Sequence, residues 1–91
     1  SVKGLLVQYE LQTEETYDLL KTLSSNRNKY RKFMRDVKLG YYDVIRQYGE
    51  LLYYGGEYFR PVRVRRDVRQ AKEYLLRSAV KGNKKAHRLL L

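Results

Sequence analysis

The stretch from Asp67 to Val80 constrains the fold most. Val68, Ala71, Leu75 and Ala79 recur there at steps of three and four, which puts them on one face of an α-helix. Arg69, Lys72, Glu73 and Arg77 fall on the other sides. Asp67 is placed to accept backbone N–H bonds as an N-cap, Gly82 to make the left-handed turn that closes the helix, and Lys81 to sit at the negative end of its dipole. A helix with so narrow an apolar stripe, half of it alanine, is marginal alone. It requires a neighbouring helix at close range.

The rest of the sequence supplies such neighbours. A helix is expected over about 41–54, with Tyr41, Val44, Ile45, Tyr48 and Leu52 as its apolar stripe and Gly55 and Gly56 at its end. Gly49 lies inside it at a cost of about 1 kcal/mol relative to alanine, and the close approach of another helix explains that choice. A further helix over about 26–38 turns Tyr30, Phe33, Met34 and Val37 inward, with Ser25 or Asn26 as cap and Gly40 after its end. Before it, Thr16 or Tyr17, Leu20 and Leu23 mark another helix, with Thr13 as a plausible cap. Residues 3–11 are ambiguous between a short helix and an extension of the next one. Asn83 to Leu91 reads as the start of a last helix, with Ala86, Leu89 and Leu90 apolar.

The pattern is written twice. Setting Ala71 on Lys29 carries Leu75 onto Phe33, Ala79 onto Val37, Gly82 onto Gly40, Ala86 onto Val44 and Leu90 onto Tyr48. Five of these six pairs keep their character, and helix, glycine turn and helix are repeated. The expected fold is therefore all-α, with antiparallel helix pairs stacked as a short α-solenoid in which each unit buries its face on the next.

The joint spacing of Gly49, Asp67, Ala71, Ala79, Gly82 and Ala86 resembles the Sel1-like repeat family, and a tetratricopeptide-type relative is the near alternative. Tyr48-Gly49 stands at the Leu-Gly pair, Gly55 and Gly56 lie in the loop, and Val64 and Asp67 precede Ala71. Tyr74 and Leu75 take the aromatic positions, and Arg77-Ser78-Ala79 replaces Lys-Ala-Ala. On this resemblance the chain is one helical-repeat domain over 1–91: a divergent segment over 1–24, a degenerate repeat portion over 25–54, and a Sel1-like repeat with the start of the next helix over 44–91. The departures are Tyr48 in place of leucine and a loop lengthened over Tyr58 to Val64. The resemblance implies an adaptor surface for other macromolecules and no general catalytic site.

Chemistry-bearing residues are sparse. The one histidine, His87, stands beside Arg88 on a basic stretch without a nucleophile or carboxylate at suggestive spacing. Cysteine is absent, so disulfides and thiolate metal sites are excluded. No Gly-x-Gly-x-x-Gly or Walker-type loop occurs. No catalytic residue, metal site or cofactor is expected, and neither is a small-molecule substrate. No apolar run reaches the roughly 20 residues that cross a bilayer, so membrane insertion is not expected either. The first residues lack a basic-then-apolar leader, which favours an intracellular or organellar protein over a secreted one.

Charge is the positive signal. Lys and Arg number 20 against 10 Asp and Glu, a net charge of +10. Such a balance favours nucleic acid, acidic protein surfaces or anionic lipid, although a merely solvated surface has the same composition. The 10 tyrosines suit thin helical layers and also stacking on bases. Tyr58, Phe59, Arg60, Arg63, Arg65, Arg66 and Arg69 form the densest candidate for a polyanion or partner contact, because arginine's planar fork matches phosphates and carboxylates. Two further basic groups, Lys29, Arg31, Lys32 and Arg35, and Lys81, Lys84, Lys85 and Arg88, read as solvated faces or as extensions of that contact. Two functions follow as expectations. One is a non-catalytic adaptor or structural subunit that contacts other proteins of a larger assembly. The other is a basic RNA-contacting subunit of a ribonucleoprotein, such as an organellar ribosome. The closing Leu89-Leu90-Leu91 opens a helix without a partner, so Leu90 and Leu91 are expected to be covered by another chain or by further sequence.

Overall fold

A computed structural model describes residues 15–55 and 64–91. Among these residues the chain is all-α and has no strand. The helices are α1 over 15–25, α2 (Arg27–Leu39), α3 (Tyr42–Tyr54), α4 (Val68–Val80) and α5 (Lys84–Leu90). None is long and apolar enough to cross a membrane.

The caps expected at Asn26 and Asp67 form where the residue types placed them, and Asn83, not named as a cap, makes a third. Asn26 Oδ1 accepts from the backbone N–H groups of Asn28 and Lys29, and so starts α2. Asp67 Oδ1 accepts from Gln70 N–H at the start of α4. Asn83 Oδ1 accepts from Ala86 N–H at the start of α5. Gly40 ends α2 at φ 81°, a left-handed conformation that glycine adopts without a Cβ penalty. Gly82 follows α4 at φ 105°, and Asn83 N–H donates to Ser78 C=O across that turn at 3.0 Å. Thr13, the cap proposed for the first helix, lies outside the described residues.

Helices α3 and α4 form an antiparallel pair. Tyr42 C=O accepts from Ser78 Oγ at 2.5 Å, Gly49 faces Ala71 and Leu75, and Leu52 C=O accepts from Asp67 N–H at 2.7 Å, so one helix ascends as the other descends. Gly49 sits at the crossing. A Cβ there would stand 3.0 Å from Leu75 Cγ and 3.2 Å from Ala71 C=O, which is the close approach the interior glycine predicted. Adjacent helices stack on this pair: α2 on α3, and α5 on α4.

The core joins Leu20 and Leu23 of α1 to Phe33 and Val37 of α2, Ile45, Leu51 and Leu52 of α3, Val64, and Ala71 of α4. A second cluster gathers Leu75, Ala86 and Leu89, with Ala79 and Leu90 against it. One expectation needs correction. Tyr41 is not part of the α3 stripe: it precedes the helix and is 57 % exposed. Of the two alternatives on α1, Thr16 turns inward and Tyr17 is exposed. Of the terminal leucines, Leu89 is buried within the chain, Leu90 is half-buried and Leu91 is exposed.

Helix α3 is buried on more sides than its stripe indicated. Arg46 and Glu50, one turn apart, are both buried and pair through Arg46 Nη1 and Glu50 Oε1 at 3.0 Å. Burial pushes the Glu50 carboxyl above its ordinary range, and the Arg46 guanidinium only partly offsets this. Among the described residues, Arg46 Nε and Thr16 Oγ1 are buried without a hydrogen-bond partner. Such polar groups lower stability.

Candidate partner-binding and polyanion-binding surfaces

Of the arginine-rich stretch, Tyr58, Phe59, Arg60 and Arg63 lie outside the described residues. Arg65 and Arg69 are exposed. Arg66 serves the fold itself. Its Nε donates to Tyr53 C=O at 2.7 Å, and its guanidinium lies 5.4 Å from the centre of the Tyr53 ring. It therefore ties the residues before α4 to the end of α3.

Beside them a cleft of ≈ 530 Å³ opens, lined by Tyr30 of α2, Tyr48 and Leu52 of α3, Val64 to Asp67, and Gln70. Two sequence features thus meet: the arginines before α4 and the tyrosines of α2 and α3. Tyr48 packs edge-on against Phe33 at 6.3 Å and Tyr74 at 4.9 Å, so its ring serves the core more than it serves as a stacking platform. Burial, with Tyr74 and Tyr30 nearby, raises the Tyr48 hydroxyl above its ordinary value, so it stays a neutral donor.

The other basic residues do not join this cleft as one patch. Lys29, Arg31, Lys32 and Arg35 are exposed along α2. Lys81 belongs to the opposite end of α4, where its Nζ donates to Gly40 C=O at 2.6 Å. Arg66 and Lys81 flank the 13 residues of α4, so their backbones are about 20 Å apart along that helix. Lys84 and Arg88 are exposed, and Lys85 Nζ approaches Glu15 Oε1 at 3.5 Å, a solvent-exposed pair of small energetic weight.

The repeat-structural residues hold the scaffold beneath these surfaces. Ala71 and Ala86 are fully buried, Gly49 marks the α3–α4 crossing, and Ala79 packs against the second cluster. Ser78 and Asn83, neither of them singled out by periodicity, lock the far end: Ser78 Oγ donates to Tyr42 C=O, and Asn83 Nδ2 donates to Asp43 Oδ1 at 2.8 Å. Ser78 therefore has a role in holding α3 and α4 together.

A second concavity escaped sequence reasoning. A groove of ≈ 420 Å³ runs where α2, α3 and α4 meet near the Gly40 turn. Val37 and Ile45 form its buried floor, and Leu76 and Val80 its exposed apolar wall. Lys38, Arg77 and Lys81 supply every ionisable group that lines it. The signal was present in the sequence: Leu76 and Val80 are one turn apart, off the Ala71–Leu75–Ala79 face, and give α4 a second apolar side.

No family model, curated protein or solved structure matches this chain.

Proposed function

We propose that this chain is a non-catalytic helical adaptor, a structural subunit that holds another protein within a larger assembly. The observation that carries the reading is the apolar groove of Val37, Ile45, Leu76 and Val80. Leu76 is 57 % exposed and Val80 79 % exposed on a well-capped helix whose other face is already buried. Exposed apolar side chains that line a concavity are a feature of interaction surfaces. The Sel1-like spacing supports the same reading, with Gly49, Ala71 and Ala86 packed between helices as a repeat of that kind requires. Isolation of the tagged chain from the cells that make it, with and without nuclease, tests the proposal. Protein partners should remain after nuclease treatment. Their complete release would overturn it.

The cleft beside Arg65 favours a second reading, contact with RNA in a ribonucleoprotein. It places Tyr30, Gln70 and the exposed Arg65 along one opening, in a chain of net charge +10. Phosphate contacts there give salt-dependent binding, and Arg65→Ser and Arg69→Ser should each lower the slope of log K against log salt by up to about one. Arg66 is left in place, because it anchors the loop to Tyr53. An unchanged slope would remove this reading.

A further inference from the structure

We propose that the groove between α2 and α4 takes an acidic amphipathic helix of a partner protein, its apolar face on Leu76 and Val80 and its carboxylates on Lys38, Arg77 and Lys81. The inference rests on the adaptor reading and names the chemistry of the partner.

The floor and wall define the shape of the occupant. Val37 and Ile45 are 7 % and 2 % exposed, so they are already packed and offer a firm base. Leu76 and Val80 stand above them, one turn apart on α4, with most of their surface in water. Leu39, Tyr41 and Tyr42 are also exposed, outside the groove lining but near the same end of the chain, where the Gly40 turn meets Lys81 and Tyr42 meets Ser78. A trough between helices suits a rod with a narrow apolar stripe, which is how helix-in-groove recognition works.

The rim defines the charge of the occupant. Every ionisable side chain lining the groove is cationic. Lys81 Nζ donates to Gly40 C=O at 2.6 Å, and the Arg77 guanidinium lies 5.4 Å from the centre of the Tyr74 ring, so two of the three cations have a contact within the chain that restricts them. Restricted cations lose less freedom when a carboxylate arrives. A second copy of the chain is a poor occupant, since it brings a net charge of +10 against the same charge. Glutamates flanking a leucine stripe satisfy both the groove and its rim.

The test uses a synthetic helical peptide of about 15 residues, the length at which a helix begins to persist alone. It carries leucines at steps of three and four with glutamates beside them. One control replaces its glutamates with lysine, and a second replaces its leucines with serine. Fluorescence anisotropy should show saturable binding of the leucine–glutamate peptide alone. Leu76→Ser with Val80→Ser should weaken it by about tenfold or more, as expected for loss of two central apolar anchors. Lys38→Glu with Arg77→Glu should transfer preference to the lysine peptide. All four side chains are exposed or half-buried at the surface, so circular dichroism of both variants should match the parent.

Equal binding of the leucine-free peptide would overturn the proposal by reducing the effect to non-specific charge attraction. So would binding that is indifferent to the Leu76 and Val80 substitutions. Co-sedimentation with phosphatidylserine vesicles that those substitutions abolish would reassign the groove to a membrane surface, and self-association that they abolish would reassign it to a second copy. The adaptor reading is judged separately. If nuclease-resistant partners persist and the Leu76→Ser, Val80→Ser chain retains them undiminished, the groove is wrong while the adaptor stands.

Discussion

At the scale of single residues, Gly49 and Glu50 are neighbours with opposite logic. Gly49 lowers the intrinsic helicity of α3 and allows α4 to lie against it. In Gly49→Ala the new methyl group meets the buried Leu75 side chain and the Ala71 carbonyl, which belongs to the helix backbone and gives way poorly. Overpacking of about 1–3 kcal/mol exceeds the roughly 1 kcal/mol gained in helix propensity. Urea unfolding should show a net loss of up to about 2 kcal/mol; increased stability would contradict the close approach. Glu50 costs stability by being ionised where water is scarce. Its folded-state carboxyl titrates above the ordinary value of 4.5, so between the two values the folded chain holds more protons than the unfolded one. Its contribution is therefore fully present below about pH 4.5 and is lost as pH rises through the folded value. The stability of the parent relative to Glu50→Gln should fall as pH rises across this window. A difference that is flat or rising with pH would show that burial does not govern this carboxyl.

At the scale of elements, caps and turns decide where each helix lies, and these were the most legible features in the sequence. Asn26, Asp67 and Asn83 are short polar residues placed just before periodic apolar positions, and Gly40 and Gly82 follow the last ones. Local chemistry determines such features, so spacing alone reveals them. Burial around a helix depends on what surrounds it. Periodicity therefore missed the Arg46–Glu50 pair inside α3 and included Tyr41, which stops short of the helix. The groove was illegible for a related reason: its floor comes from Val37 and Ile45 on two helices and its wall from Leu76 and Val80 on a third. Helix α5 shows how much one cap can carry. With 7 residues it is too short to persist alone, and Asn83 both caps it and binds Asp43 of α3. Asn83→Ala should cost about 1–2 kcal/mol and lower the melting temperature, with hydrogen exchange accelerated first in α5. Unchanged exchange there would mean that Leu89 and Ala86 alone hold the helix.

At the scale of the whole molecule, the described residues form two unlike concavities at opposite ends of the α3–α4 pair. The tyrosine and arginine cleft lies where α3 ends and α4 begins, and the apolar groove lies where α3 begins and α4 ends. The chain carries a net charge of +10, and of the two concavities the groove exposes the larger apolar side chains, Leu76 and Val80. Apolar burial at the centre of an interface supplies most of its energy, while charge sets partner choice and approach rate. On the proposed function, the groove is where this chain holds another protein. Site-specific photocrosslinking in the native assembly tests it most directly. A photoreactive side chain at Leu76, compared with one at Gln70, which lies on the same helix but lines the other cleft, should give a nuclease-resistant adduct to a protein at position 76 and little at position 70. Adducts to RNA at position 76, or no protein adduct there in an intact assembly, would contradict the account.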